Sequence, residues 1–140
     1  MRRFIIFLTA MLFVIPGCNT TEKVEGNVQI ANDYLEEHGY NVLRHINEDS
    51  FLLTEGMVSQ LPDKLSCSVQ EFTASDHIGK EMVVEYFSIS NHPFDIEHEE
   101  TMVSVIISDG KAIGGNSYNP VEKGMRGENG IFSLDGSKQY

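Results

Sequence analysis

Thr101-Met-Val-Ser-Val-Ile-Ile-Ser108, then Asp109-Gly110, then Lys111-Ala-Ile-Gly-Gly115 is the stretch that decides the fold of this chain. The first run is mostly β-branched and apolar, which suits a pleated, half-buried surface. Asp-Gly between two such runs marks a two-residue hairpin loop, because a type I′ turn needs positive φ at both central positions. Strands joined so tightly must run antiparallel. Gly114-Gly115 inside the second strand marks a bulge or a close backbone approach.

Working toward the N-terminus, Glu81 to Ser90 is a second strong strand, rich in Val, Tyr, Phe and Ile. Asn91-His92-Pro93 reads as its exit, since Pro93 has no N–H for further ladder pairing. Leu65 to Thr73 alternates and is expected as another strand, followed by a Ser75–Gly79 turn. It puts Cys67 on the face of Leu65 and Val69, where a free cysteine acts as a small hydrophobe. Thr54 caps a short helix through Leu61, with Met57, Val58 and Leu61 inward and Pro62 ending it. Tyr40 to Ile46 and Phe51 to Leu53 read as two strands about an Asn47-Glu-Asp49 turn. Before them, Asn27 to His38 carries Val28, Ala31 and Leu35 on one face, with Ile30 and Tyr34 beside them. Asn27 caps this helix and Gly39 stops it. His38 falls in its last turn, where a cation suits the dipole. Toward the C-terminus the chain is Gly-rich from Asn119, and Ile131 to Leu134 is expected as a last edge strand.

No helix-length crossover separates the later strands, so parallel βαβ units are disfavoured. The expected class is α+β: a two-layer domain with an antiparallel sheet of about four to six strands. An N-terminal helix and a short second helix cover one face.

Residues 1–17 have a different character. Arg2 and Arg3 precede twelve uncharged apolar residues, Phe4 to Ile15. A membrane-spanning helix needs about 20, so this length suits an export signal. Ile15-Pro16-Gly17-Cys18 resembles the lipobox of bacterial lipoproteins, with Pro16 departing from the usual small residue. The resemblance implies a diacylglyceryl group on the Cys18 thiol and cleavage after Gly17, and leaves acylation of the new amino group open. Two or more acyl chains suffice for stable anchoring. The expected organisation is a signal peptide over 1–17, a lipidated tether over 18–26 and one α+β domain over 27–140. A polar tether of eight residues spans roughly 16 Å.

The formal charge is −11, and −13 once Arg2 and Arg3 leave with the signal, from 8 basic and 21 acidic residues. Nucleic-acid binding through phosphates needs clustered Lys and Arg and is disfavoured. Adhesion of the domain surface to an anionic leaflet is disfavoured on the same ground. Cationic ligands or basic protein surfaces are compatible partners. With Cys18 lipidated, Cys67 is left without an intrachain disulfide partner.

The densest polar constellation is Asn91-His-Pro-Phe-Asp-Ile-Glu-His-Glu-Glu100. His92, Asp95, Glu97 and His98 are its weak candidates for a divalent cation. The spacing matches neither an EF-hand loop nor a tetrahedral zinc set, and a solvated acidic connection explains it as well. His45 and His77 have no local triad partner. The sequence contains no phosphate-cradling or dinucleotide glycine motif, and no cofactor is expected.

Scattered segments resemble small uncharacterised lipoproteins of Gram-positive, bacillus-type bacteria. They are Tyr34-Leu35…His38-Gly39-Tyr40, Leu61-Pro62, Val69-Gln70, Ile78-Gly79-Lys80, Asn91-His-Pro-Phe-Asp95, Ile113-Gly-Gly115 and Ser133-Leu-Asp-Gly136. A more distant similarity is to PepSY-like domains, which pair a helix bearing an Ala…Leu…Gly pattern with an antiparallel sheet. These resemblances imply an extracytoplasmic lipoprotein held on the cell membrane through Cys18. The expected role is a non-enzymatic binding or interaction module. The alternatives are a PepSY-like peptidase inhibitor or regulator, and a metal-dependent envelope hydrolase using the 92–100 loop.

Overall fold

The computed structural model describes residues 22–60, 67–94, 100–118 and 130–138, excepting the side chains of 22–25. The element order is α1 (Glu22–Glu37), β1 (Asn41–Leu52), α2 (Glu55–Ser59), a short 3-10 turn (Ala74–His77), β2 (Glu81–Ser90), β3 (Thr101–Ser108), β4 (Lys111–Tyr118) and β5 (Ile131–Ser133). The strands form one antiparallel sheet in the order β1-β2-β3-β4-β5. This is the α+β class that the hairpin pattern implied, with a long N-terminal helix and a short second one.

The β3–β4 hairpin turns at Asp109 (φ 51°) and Gly110 (φ 71°), the pair of positive angles a type I′ turn requires. Gly114 and Gly115 show both expected features. The β3–β4 register shifts after Ile106, so β4 bulges at Ile113. A Cβ on Gly115 would stand 2.4 Å from the Ser104 carbonyl oxygen, a backbone atom that cannot swing aside. Gly115→Ala is therefore expected to lower unfolding free energy by about 1–3 kcal/mol, as overpacking does. Urea denaturation checks it, and an unchanged midpoint would show that the strands separate without cost.

The two sheet faces carry separate cores. Val83, Phe87 and Ile89 of β2 and Val103, Val105 and Ile107 of β3 point to one face, where Ala31 and Leu35 of α1 cover them. Met82, Val84 and Ile106 point to the other, beneath Leu53, Met57, Val58 and Phe72. The period-two alternation of strands produces this division. It also places the two helices on opposite faces, rather than together on one. Strands buried on both sides lose strict apolar–polar alternation, as the run Val105-Ile106-Ile107 of β3 does.

Three boundaries differ from expectation. Helix α1 begins at Glu22, so Asn27 is not its cap and residues 22–26, expected as tether, are helical. Its end is as anticipated: Gly39 (φ 84°) closes a Schellman arrangement, with Tyr40 N–H on Leu35 O (3.0 Å) and Gly39 N–H on Glu36 O (2.9 Å). The Asn47–Asp49 turn does not exist. Asn41–Leu52 is one strand whose polar middle pairs Asn47, Glu48 and Asp49 with Tyr86, Glu85 and Val84. An edge strand exposes its outer groups to water and tolerates such residues. The expected strand 65–73 is not one over its described part: Cys67 and Ser68 are helical and Val69 lies in a turn. Val69 is nonetheless buried, and Gln70 Nε2 donates to Asn116 Oδ1 at 2.6 Å. Burial of alternate residues there comes from lying across the sheet, not from ladder pairing.

The short helix is capped as expected, with Met57 N–H donating to Thr54 Oγ1 at 3.3 Å. Leu61 and Pro62 lie outside the described residues. Among the described residues no helix is long and apolar enough to cross a membrane.

Candidate functional site

Two clefts among the described residues border the sheet. The first, of about 200 Å³, opens on the α2 face and is lined by Phe51 (β1), Leu53, Met57 (α2), Cys67, Val84 and Tyr86 (β2), Ser104 and Ile106 (β3), and Asn116 and Tyr118 (β4). Its walls are mainly apolar, and its polar groups gather at the β4 end. Ser104 Oγ and Tyr118 Oη are 3.3 Å apart, and the Tyr86 and Tyr118 rings are centred 6.5 Å apart. Burial first, then neighbouring Tyr118 and Asp49, push the Tyr86 phenol above its ordinary value, so it stays a hydrogen-bond donor through neutral pH. An apolar cleft with a few convergent polar groups is the usual form of a binding site.

Cys67 is half-exposed at this cleft and not in the core where strand alternation put it. The strand assignment caused that error. No local motif marks the site, because its lining comes from four strands, α2 and the segment after it.

The second cleft, of about 180 Å³, lies at the C-terminal end of α1, between Tyr34, His38, Tyr40, Glu71, Ser133 and Asp135. Asp135 is organised by its own turn: Oδ1 accepts from Ser137 N–H (3.0 Å) and from the Ser133 and Ser137 hydroxyls. Those bonds, Ser133 first, hold its carboxyl at about 2, so it is ionised at any physiological pH. Tyr34 and Tyr40 are raised by burial first and then by Glu71 and Asp135 respectively. The wall offers acceptors and aromatic faces, a surface suited to a small cation or amine.

A third cluster lies between β1 and β2. Glu85 follows the alternation of Val83 and Phe87 onto the α1 face and is wholly buried. His45 Nε2–H donates to its Oε2 at 2.7 Å, and the His45 ring meets Phe87 edge-on at 5.2 Å. Glu85 Oε1 is buried with no hydrogen-bond partner. Glu48 stands directly opposite in the ladder. Desolvation is the largest influence on Glu85 and raises its pKa; the His45 bond opposes this and Glu48 adds to it. Sequence reasoning missed this group, although Val83-Val84-Glu85-Tyr86-Phe87 in strict alternation places a carboxylate between two core residues.

The sequence candidates fare as follows. Cys18 lies outside the described residues, as do Asp95, Glu97 and His98. His92 is buried and fully employed: Nε2–H donates to Leu134 O at 2.8 Å and Nδ1 accepts from Phe94 N–H at 3.1 Å. Its ring stacks on Tyr40 at 5.6 Å and tilts against Phe94 at 4.6 Å. It fastens the β2 exit to the Leu134 turn. His38 Nδ1–H donates to Tyr34 O at 2.7 Å, and His77 lies 3.1 Å from Ser108 Oγ. Among the described residues no group of three or more His, Cys, Asp or Glu side chains stands together as a metal site.

Comparison with protein-family models, with curated proteins and with solved structures finds no match to this chain.

Proposed function

We propose that this chain is a lipid-anchored extracytoplasmic interaction module that receives an apolar side chain of a protein partner in the cleft on the α2 face. The observation that carries the reading is the cleft itself: apolar walls from Phe51, Leu53, Met57 and Ile106, with Tyr86, Tyr118 and Ser104 at one end. Its volume, about 200 Å³, is below the roughly 300–1,000 Å³ of drug-sized ligand sites. It matches instead the pocket that takes one aromatic or aliphatic anchor of a protein interface. The anchor follows from Ile15-Pro16-Gly17-Cys18 behind a twelve-residue apolar run. Strong net acidity keeps the domain off an anionic leaflet, leaving the lipid to hold it.

The test has two arms. Cys18→Ala should move the protein from the membrane fraction to the soluble one, and mass spectrometry of the native chain should find a lipid-modified Cys18 N-terminus. A photo-crosslinking residue at Tyr118 should then give a discrete protein adduct in membranes. That adduct should vanish when Ile106→Asp places a charge in the cleft. An adduct indifferent to Ile106→Asp, or the same adduct from a crosslinker at exposed Asp76, would refute the cleft. An unmodified Cys18 would refute the anchor.

A further inference from the structure

We infer that two copies of this chain pair edge to edge through β1, antiparallel about a twofold axis between Ile46 and Asn47. The observation beneath this is the order of charges on the outermost strand. β1 ends the sheet and is exposed along almost its whole length. It carries Leu43 (50% exposed), Ile46 (44%) and Leu52 (57%), three of the five large hydrophobic residues most open to solvent among the described residues. A long edge with unpaired N–H and C=O groups and apolar side chains is a template for another strand.

What selects a second copy is self-complementarity. About the stated axis, Arg44 comes opposite Asp49 of the second copy, and His45 opposite Glu48 of the second copy. Opposite charges facing across a ladder stabilise it, and like charges destabilise it. Moving the axis one residue either way puts Arg44 opposite Asn47 or Phe51 and loses both pairs.

The side-chain faces agree with this register. Arg44 pairs with Ser88 and Asp49 with Val84, so both project to the α2 face; His45 pairs with Phe87 and Glu48 with Glu85, so both project to the α1 face. In a regular strand residues five apart point to opposite faces. The register shift between His45 and Asn47 displaces the alternation by one residue, and so brings Arg44 and Asp49 to the same side. A twofold axis normal to the sheet preserves faces, so each face receives one complementary facing pair and its symmetry mate. The second shift, between Val42 and Arg44, breaks the alternation again and limits the ladder to residues 44–49.

The groups are available. Arg44 already meets Glu100 at 2.9 Å, but its side chain is 65% exposed, and a guanidinium has five donors. His45 uses Nε2 on Glu85, while Nδ1 has no partner among the described residues. The net charge of −11 opposes association, yet repulsion between distant charges is screened beyond about 8 Å at physiological ionic strength, whereas facing pairs are in contact. A six-residue ladder buries less than the roughly 1,200–2,000 Å² of stable interfaces, so the dimer is a transient one.

Zero-length carbodiimide coupling of full-length Arg44→Lys in membranes tests the register directly. The amine at position 44 should couple to Glu100 within one chain, which serves as the internal control. It should also couple to Asp49 in a covalent dimer. Within one extended strand positions 44 and 49 are about 16 Å apart, too far for a zero-length link, so that product reports a second copy. Separately, sedimentation of the full chain should show Arg44→Asp weakening self-association at least about tenfold, with Asp49→Arg added to it restoring the loss. Coupling to Glu100 with no 44–49 dimer would overturn the inference. Dimers joined through other positions, or a double reversal that fails to rescue, would overturn it equally.

Discussion

Phe87→Ala is expected to lower the unfolding free energy by about 3–5 kcal/mol, the range for emptying a buried aromatic site. Phe87 is 1% exposed, the largest of the fully buried side chains. It sits mid-strand in β2 and packs in the cluster with Ala31 and Leu35 of α1 and with Val103 and Val105 of β3. Helix and sheet therefore share it, and the cavity cannot close by moving one element alone. Its ring also supports His45, so the loss should loosen the His45–Glu85 bond as well. Domains of this size have about 5–15 kcal/mol in total, so the loss is a large fraction of the whole and should lower the urea midpoint strongly. Leu52→Ala is the matched control. Leu52 is 57% exposed at the edge, and its removal should change stability by less than about 0.5 kcal/mol. Urea unfolding of the pair discriminates: equal losses would mean that the α1 face is not the principal core.

The sequence was most legible where local chemistry and tertiary packing agree. Asp109-Gly110 specifies a turn by itself, and Gly39 stops α1 by the positive φ it adopts. These signals need no knowledge of neighbours. The errors share a different cause. Asn47-Glu48-Asp49 carries turn chemistry, but β2 offers ten residues of ladder and the segment stays extended against it. Ladder hydrogen bonds with a strongly apolar partner outweigh a weak local preference. Leu65-Ser-Cys67-Ser-Val69 alternates like a strand, yet its described part crosses the sheet face and finds no ladder. Alternation records burial of every second residue and is silent on what does the burying. His92 has acidic neighbours in sequence, yet the fold packs it between Tyr40 and Phe94 at the strand exit. The cleft was not legible at all. Its residues run from Phe51 to Tyr118, and only the sheet order brings them together.

Glu85→Gln is expected to make the protein more stable at neutral pH, and to flatten its dependence on pH. The argument begins with a buried carboxyl that has one oxygen bonded to His45 and the other without a partner. Burial disfavours the charged form, and Glu48 opposite adds to the effect, so the folded protein holds the proton to a higher pH than the unfolded chain does. Where the native state binds more protons, stability falls as pH rises. The wild type should therefore lose stability as pH climbs from the ordinary glutamate value of about 4.3 through the raised folded value, and level off above it. Glutamine has nearly the same shape and carries no charge. Its carbonyl still accepts from His45, and its amide N–H₂ can donate toward Glu48, which supplies the partner that the carboxylate lacks. Relief of an unsatisfied buried acceptor suggests a gain of about 1–3 kcal/mol above the window and little difference below it. Denaturant unfolding from pH 4 to 8 distinguishes this from a stabilising ion pair. In that case the wild type would gain stability with rising pH, and Glu85→Gln would be the weaker protein at neutrality. Such a reversal would mean that His45 more than compensates the desolvation, and that the carboxylate strengthens the β1–β2 ladder.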